Sequence, residues 1–380
     1  MNRKRMQKRF LFINLSLAAI FLISLLNIVL PDRKYSENEN RALAGRPEFT
    51  LKALASGAYF KDFDSYYADQ FLVRDNFIKV RTFGRRLTGA KEIGGVYLGR
   101  NGYLLGKPET PDAEAEKTTA KAMNDFARRH DGVAMRALII PDAANILKKK
   151  VPQNAPVRDQ ISDIRQFEKG LKGITCVDGI TPLQKNSDKA LFYKTDHHWT
   201  TQGALTVFQG TAKALGISKP EKTYKKYLVS NSFYGTLASK TGCFGRADEI
   251  EVAVPKKSPV SYVVYYPDTK KKSPSMFMSS ELKKKDQYLV FFGGNHALVD
   301  IRTTGDASKT LLVFKDSYAN SFIPFLYPYY GHIIMIDPRY YYDNVETHMK
   351  SSGVTDVLFL YSADTLVKDT NLADVLNAGK

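Results

Sequence analysis

Residues 194–200 read Lys-Thr-Asp-His-His-Trp-Thr and place an acid, two imidazoles and the chain's only tryptophan within seven positions. Asp196 and His198 stand two apart. In an extended or turn segment both side chains project to the same side, where a carboxylate can orient an imidazole and select its tautomer. Such a pair is two thirds of a nucleophilic triad. Serine is a weak nucleophile at neutral pH until a base takes its proton and a third group holds that base. The candidate nucleophile is Ser317, in Leu-Leu-Val-Phe-Lys-Asp-Ser-Tyr-Ala-Asn, where an apolar strand gives way to a helical stretch. At such a junction the serine N–H lies at a helix N-terminus, a setting that favours developing negative charge. Taken alone, Ser317 reads first as a helix N-cap. The Asp-x-His element turns the reading towards a nucleophile.

Other polar residues near these motifs carry competing readings. His197 points away from the proposed base and reads as structural. Asp196, His197 and His198 offer three metal-ligand groups in a row, yet consecutive residues seldom ligate one ion and no second cluster completes a shell. No metal or other cofactor is expected. Trp199 reads as a packing anchor, or as a platform for a sugar ring if exposed. Gly293-Gly294-Asn295-His296 follows an apolar run, so Gly294 and Asn295 are candidates for an oxyanion site, with a turn and a capping Asn as the alternative. Arg339, in Asp-Pro-Arg-Tyr, is a candidate for binding an anionic or hydroxyl-rich substrate, the alternative being a plain ion pair. The roles of Lys315 and Asp316 stay open.

The elements that must position these groups have an α/β texture. Helical patterns at 113–129 and 157–172 precede apolar strands at 135–140 and 174–177. Apolar runs recur at 288–292, 310–314, 332–336 and 356–361. Helix alternating with fully apolar strand predicts a parallel sheet covered on both faces. Active sites of such sheets gather at the strands' carboxyl ends, where Ser317, Asp337 and Ser362 fall. Residues 224–285, with alternating strands at 250–254 and 260–266 and many lysines, predict an antiparallel insertion. Asn101-Gly102 between apolar runs predicts a hairpin, and the catalytic domain is taken to run over 94–380. Thr200 or Thr201 is a candidate N-cap for a helix at 200–215.

Residues 2–9 carry five basic side chains, and residues 10–30 form 21 positions without a charge. At 1.5 Å per residue this stretch covers roughly the 30 Å hydrocarbon thickness, with its basic flank, 1–9, on the cytoplasmic side. An uncleaved anchor at 10–30 is expected, with a cleaved signal peptide as the alternative; an apolar signal region normally runs about 7–15 residues. Residues 31–93 are then a linker followed by one or two juxtamembrane amphipathic helices, whose aromatics Phe60, Phe63, Tyr67 and Phe71 read as core rather than ligand site. The chain's 380 residues carry 56 Lys and Arg against 39 Asp and Glu, a net +17. That bias suits an anionic membrane face or an acidic polymer, and the export signal argues against nucleic acid. The two cysteines fit no zinc spacing.

Three motifs occur in one order. They are Ser-Glu-x-Glu-Asn-Arg-x-Leu-Ala-x-x-Pro after the N-terminal span, Thr-Asp-His-His-Trp-Thr, and the late Lys-Asp-Ser-Tyr. Together they resemble the DHHW proteins, which are similar to alginate-type exopolysaccharide O-acetyltransferases. The resemblance implies an SGNH-hydrolase-like, three-layer α/β/α fold with Asp196, His198 and Ser317 as the triad. It also implies acetyl transfer to a polysaccharide hydroxyl outside the membrane, alongside a multispanning acyl-exporting membrane protein. SGNH enzymes commonly hold the serine in Gly-Asp-Ser and the histidine in Asp-x-x-His. Here the strings are Lys-Asp-Ser and Asp-x-His, the latter shared with the alginate type. A polysaccharide acetyl-esterase using the same triad and a non-catalytic polysaccharide-binding scaffold are the rival functions.

Overall fold

The computed structural model describes residues 3–36, 41–72 and 74–378. Asn2 of the basic flank and residues 37–40 of the motif after the span lie outside the described residues. The chain forms two compact units, Met1–Gly89 with Thr241–Cys243, and Ala90–Lys240 with Phe244–Lys380.

In the first unit, α1 (Arg3–Val29) is one uninterrupted helix, and its stretch Gln7–Asn27 is long and apolar enough to cross a membrane. Three helices follow instead of one or two: α2 (Leu51–Ala55), α3 (Ala58–Gln70) and α4 (Arg74–Leu87). Thr50 caps α2 by accepting from the Ala53 N–H. Gly57, in the left-handed region at φ 75°, separates α2 from α3. The aromatic stripe expected to be core is exposed at Phe60, Phe63 and Tyr67. The face of α3 that turns inward carries Tyr66 and Asp69, so the helix buries a different stripe from the aromatic one.

The second unit is built on an eight-stranded sheet. In chain order its strands are β1 (Ala134–Ile140), β2 (Thr175–Cys176), β3 (Tyr262–Tyr266), β4 (Lys271–Ser273), β5 (Leu298–Thr303), β6 (Thr310–Lys315), β7 (His332–Ile336) and β8 (Asp356–Ser362). Across the sheet they lie in the order β4-β3-β5-β7-β6-β8-β1-β2. From β7 to β2 every pairing is parallel. From β7 to β4 every pairing is antiparallel. The sheet is therefore mixed, not wholly parallel. β6, β7 and β8 are buried at every position, which requires cover on both faces and matches their unbroken apolar runs. Phe314 of β6 stacks on Phe359 of β8, ring centroids 5.2 Å apart.

Two expected elements differ. The expected antiparallel insertion is split. Tyr224–Phe233 pairs with Asp248–Pro255 as a separate two-stranded ribbon, while β3 and β4 extend the main sheet. The apolar run at 288–292 is no strand; Gln287–Val290 is a 3₁₀ turn. The reason lies just beyond it, where Phe292, Gly293 and Gly294 all take positive φ, a backbone that cannot continue a strand. The hairpin at Asn101-Gly102 forms, with Val96–Leu98 paired to Leu104–Gly106 and Asn101 at φ 58°.

Candidate active site

Because β1, β6, β7 and β8 run parallel, their carboxyl ends open on one edge of the sheet. Asp142, Ser317, Asp337 and Ser362 are delivered there from four different strands. A cleft of about 600 Å³ lies at this edge, lined among others by Ser317, His197, Asp142, Asp364, Arg339 and Lys240.

Residues 194–200 form a tight loop whose two ends meet. Phe192 bridges Trp199, the Tyr193 N–H donates to the His198 carbonyl, and the Thr200 N–H donates to the Leu191 carbonyl. Asp248, from the two-stranded ribbon, accepts from the N–H groups of Lys194 and Thr195. Thr200 ends the loop as N-cap of the helix Thr201–Thr211, accepting from the Gly203 N–H. A loop closed this way has little backbone freedom, which suits side chains that must hold an angle.

Inside it, Asp196 Oδ1 lies 2.5 Å from His198 Nδ1 and also accepts the His198 backbone N–H at 3.0 Å. A carboxylate only accepts, so Nδ1 carries the proton and Nε2 presents a lone pair. His198 Nε2 stands 2.7 Å from Ser317 Oγ, which can therefore donate to it. Asp196 Oδ2 accepts from the N–H of Thr236 at 2.8 Å and from its hydroxyl at 3.0 Å. Burial alone would raise the Asp196 pKa. The attraction of His197 and His198 when protonated, with these hydrogen bonds, more than offsets it and holds the carboxyl well below its usual range. The close approach of the Thr236 segment requires glycine at 235, where a Cβ would stand 2.2 Å from the Asp196 Cβ.

The second histidine belongs to the same carboxylate by one further step. His197 Nδ1 lies 2.7 Å from Thr236 Oγ1, the hydroxyl that serves Asp196. Its side chain is 44% exposed and lines the cleft. Enclosure of its inner face, then the neighbouring His198, pushes its pKa below the ordinary imidazole value.

Two residues of the loop, His197 and Trp199, are tied to the segment carrying Ser317. The Tyr318 hydroxyl donates to the His197 carbonyl at 2.5 Å, and Trp199 Nε1 donates to the Tyr318 carbonyl at 3.0 Å. Trp199 is fully buried and stacks on Phe322. This corrects the sugar-platform reading, since a ring with no exposed face stacks on nothing outside. Ser317 opens a five-residue 3₁₀ turn, Ser317–Ser321, rather than a longer α-helix, so only a short run of N–H groups stands at its start. Asp316 caps that turn by accepting from the Tyr318 N–H, and its other oxygen accepts from the N–H and hydroxyl of Ser362.

Tyr288 joins His198 to the Ser317 segment. Its ring lies face to face with the His198 imidazole, centroids 3.8 Å apart and planes 9° from parallel. Its hydroxyl donates to the Ser317 carbonyl at 3.1 Å and lies 3.1 Å from Ser321 Oγ. Burial raises its pKa well above the phenol value, so it remains a donor. Sequence reasoning missed Tyr288, Thr236 and Gly235. The first sat in an expected strand, and the others lie about forty residues from the acid they serve.

Beneath Ser317, Lys315 is buried and donates to Asn295 Oδ1 at 2.9 Å and to Asp337 Oδ2 at 3.3 Å. Arg339 grips the same aspartate at two points, Nε to Oδ1 at 2.8 Å and Nη2 to Oδ2 at 2.7 Å. Burial would raise Asp337, but the Arg339 bonds and the charge of Lys315 win and hold it below its usual value; burial lowers Lys315. Arg339 thus both pairs with an acid and lines the cleft. Gly294 and Asn295 stand elsewhere than expected. The Gly294 carbonyl and Asn295 Oδ1 accept from Asn320 Nδ2, and neither residue lines the cleft. The positive-φ turn at 292–294 aims them at the support under the Ser317 segment.

Residues 98–282 match the family of SGNH hydrolase-like domains of the acetyltransferase AlgX. This stretch is similar to AlgX-type SGNH hydrolase-like domains. It contains Asp196 and His198, while Ser317 follows it in the chain. The likeness to solved structures reaches beyond that stretch. A DHHW family protein from Eubacterium siraeum superposes with a TM-score of 0.64 at 22% identity, covering 76% of this chain and 96% of that one. PatB1 of Bacillus cereus, seen with a sulfonyl adduct, gives 0.61 at 20% identity over 73% and 97% of the two chains. At such identities the likeness establishes the fold. No curated protein matches the sequence.

Proposed function

We propose that this chain is a membrane-anchored O-acetyltransferase that carries an acetyl group on Ser317 and passes it to a hydroxyl of an exopolysaccharide or cell-envelope glycan outside the cytoplasm. The observation that carries the reading is the continuous row from Asp196 Oδ1 through the His198 imidazole to Ser317 Oγ, at 2.5 and 2.7 Å, with Asp196 and His198 inside the stretch similar to AlgX-type domains.

In the first step Ser317 Oγ attacks the carbonyl carbon of the donor's acetyl group while its proton passes to His198 Nε2. The resulting imidazolium is stabilised by Asp196, whose depressed pKa keeps it ionised and keeps the new proton on the histidine. His198 then gives that proton to the departing oxygen or sulfur, leaving an acetyl-serine. In the second step a sugar hydroxyl enters, His198 takes its proton, and its oxygen attacks the acetyl carbon. The tetrahedral intermediate collapses, and Ser317 Oγ recovers a proton from His198. Arg339, held by Asp337 at the cleft, is the residue assigned to the acceptor. The donor side is assigned to a multispanning membrane protein that exports acyl groups. The basic residues in the first turns of α1 and the apolar stretch that follows them support an exterior catalytic domain.

The test uses the full chain in detergent with a chromogenic acetyl ester, read by ester release and intact mass. Wild type should gain one acetyl group and turn over; Ser317→Ala and His198→Ala should do neither. Adding oligosaccharide separates the two fates of the acyl-serine. Acetylated sugar marks a transferase, and acetate alone, with acceptor present, marks an esterase. Full activity in both variants would overturn the assignment.

A further inference from the structure

α3 and α4 expose an apolar surface that the proposed chemistry does not use. Phe60, Phe63 and Tyr67 occupy one face of α3, and Phe77, Val80, Phe83 and Leu87 one face of α4, with exposures from 40% at Phe63 to 73% at Leu87. The two faces form one stripe. Tyr67 packs on Phe71 at 6.0 Å, and Phe71 meets Phe77 edge-on at 5.6 Å. A contiguous apolar band of this kind marks an interaction surface.

Two further observations say what covers it. The first is depth. The Leu72 N–H, at the junction of α3 and α4, donates to Asn27 Oδ1 at 2.7 Å, and Asn27 lies in the last turn of α1, close to the end of its apolar stretch. The chain just beyond is strapped to α3 as well. The Tyr66 hydroxyl donates to Asp32, and the Gln70 amide both accepts from and donates to the backbone of Arg33. The stripe therefore starts at the level where α1 leaves the hydrocarbon. The second is charge. At 100° per residue, Arg81 and Arg85 flank the apolar face of α4 on one side and Lys79 and Arg86 on the other, with buried Thr82 opposite. An apolar face rimmed by basic residues is the pattern of a helix lying in an anionic interface.

We propose that α3 and α4 lie in the headgroup layer of the membrane crossed by α1, with their aromatics at the acyl boundary and their arginines against anionic lipid phosphates. The proposal rests on α1 being a membrane span and is independent of the acetyl chemistry.

The test reconstitutes the full chain in phosphatidylcholine vesicles, with and without phosphatidylglycerol. Phe63→Trp and Phe83→Trp supply the reporters. Trp199 is the only native tryptophan and is buried, so it gives a constant background and reports that each variant has folded. The added emission should lose about half its intensity to lipid brominated on its acyl chains and little to aqueous acrylamide. Replacing Arg81, Arg85 and Arg86 by Gln together should weaken the bromolipid quenching only where phosphatidylglycerol is present. Quenching by acrylamide instead, in a chain that resists carbonate extraction, overturns the proposal while leaving the anchor intact. Shielding from acrylamide that vanishes as protein is diluted in lipid assigns the stripe to a second copy and also overturns it. A chain released by carbonate removes the anchor reading and the proposal together.

Discussion

Residues 194–200 bury an aspartate and a histidine and give each polar atom a partner, whereas α3 and α4 leave phenylalanines facing outward and bury Asp69. The same kinds of residue stand in opposite relations to water. In the loop, burial of charge is tolerable because every oxygen of Asp196 is held by two donors, and the low dielectric then strengthens each of those bonds. On the helices, exposed aromatics cost nothing within the fold because the packing already closes on Tyr66 and Thr82. Buried polarity and exposed apolarity each point to something the fold alone does not need, a reaction in one case and a surface in the other.

The sharpest way to break the comparison is to disable the loop's chemistry. Ser317→Ala should cut acetyl-ester turnover on the order of 10⁶-fold with folding unchanged by circular dichroism. Asp196→Asn should cost about 10⁴-fold, because an amide no longer holds the Nδ1–H tautomer. A loss below about tenfold in that variant would mean that burying the aspartate serves structure alone. Tyr288 separates packing from chemistry. Tyr288→Phe keeps the ring on His198 and loses the hydroxyl on Ser317, whereas Tyr288→Leu loses both. The leucine variant should lose roughly 10²-fold, in kcat rather than KM, and the phenylalanine variant about tenfold, since misplacing the pair slows the chemical step. Equal losses would show that stacking on His198 contributes nothing.

Much of the site was legible because its signals are local. An acid two residues before a histidine, and a serine where an apolar strand ends, are patterns of a few neighbouring residues, and the carboxyl-end rule for parallel strands places the serine at the sheet's edge. The partners that complete the site were not legible. Thr236 and Gly235 meet Asp196 only through the path of the chain, and Tyr288 occupies an apolar run whose strand-like pattern is broken by backbone geometry at 292–294. The mixed sheet was missed for a related reason. β5 and β3 alternate in burial where β6 to β8 are buried throughout, and the antiparallel half begins at that change. The stripe on α3 was misread because helical spacing of aromatics states which residues share a face and says nothing of what that face meets.

The cleft also holds a half-buried acid pair with a smaller expected effect. Asp142 and Asp364 face each other, and burial first, then their mutual charge, raises Asp142 well above the ordinary value of 3.8; burial raises Asp364 as well. Asp364 also accepts from the Glu109 N–H and from Gln160 Nε2. The folded protein holds this proton more tightly than the unfolded chain does. The pair's stabilising contribution is therefore full below pH 3.8 and is lost as pH rises through the raised folded value. Asp364→Asn keeps an acceptor for both donors and removes the shared charge. Its melting temperature should exceed wild type by roughly 2–4 °C at neutral pH and match it near pH 4. A gain that grows on acidification would reverse the sign and place the charge elsewhere.

The smallest effect tests the other side of the comparison. If the aromatic stripe packs against nothing within the fold, Phe83→Ser should change the thermal stability of the detergent-solubilised chain by no more than about 0.5 kcal/mol, as for other surface substitutions. A buried aromatic gives the contrast. Trp199→Ala, which empties the space beside Phe322 and Tyr318, should cost roughly 3–5 kcal/mol in the same melt. Were Phe83→Ser to cost as much as Trp199→Ala, the stripe would be core and the two regions would not differ in kind. A near-zero cost means that the phenylalanine is maintained by something outside the folded chain, because an exposed ring that stabilises nothing has no other physical reason to recur at helical spacing beside arginines.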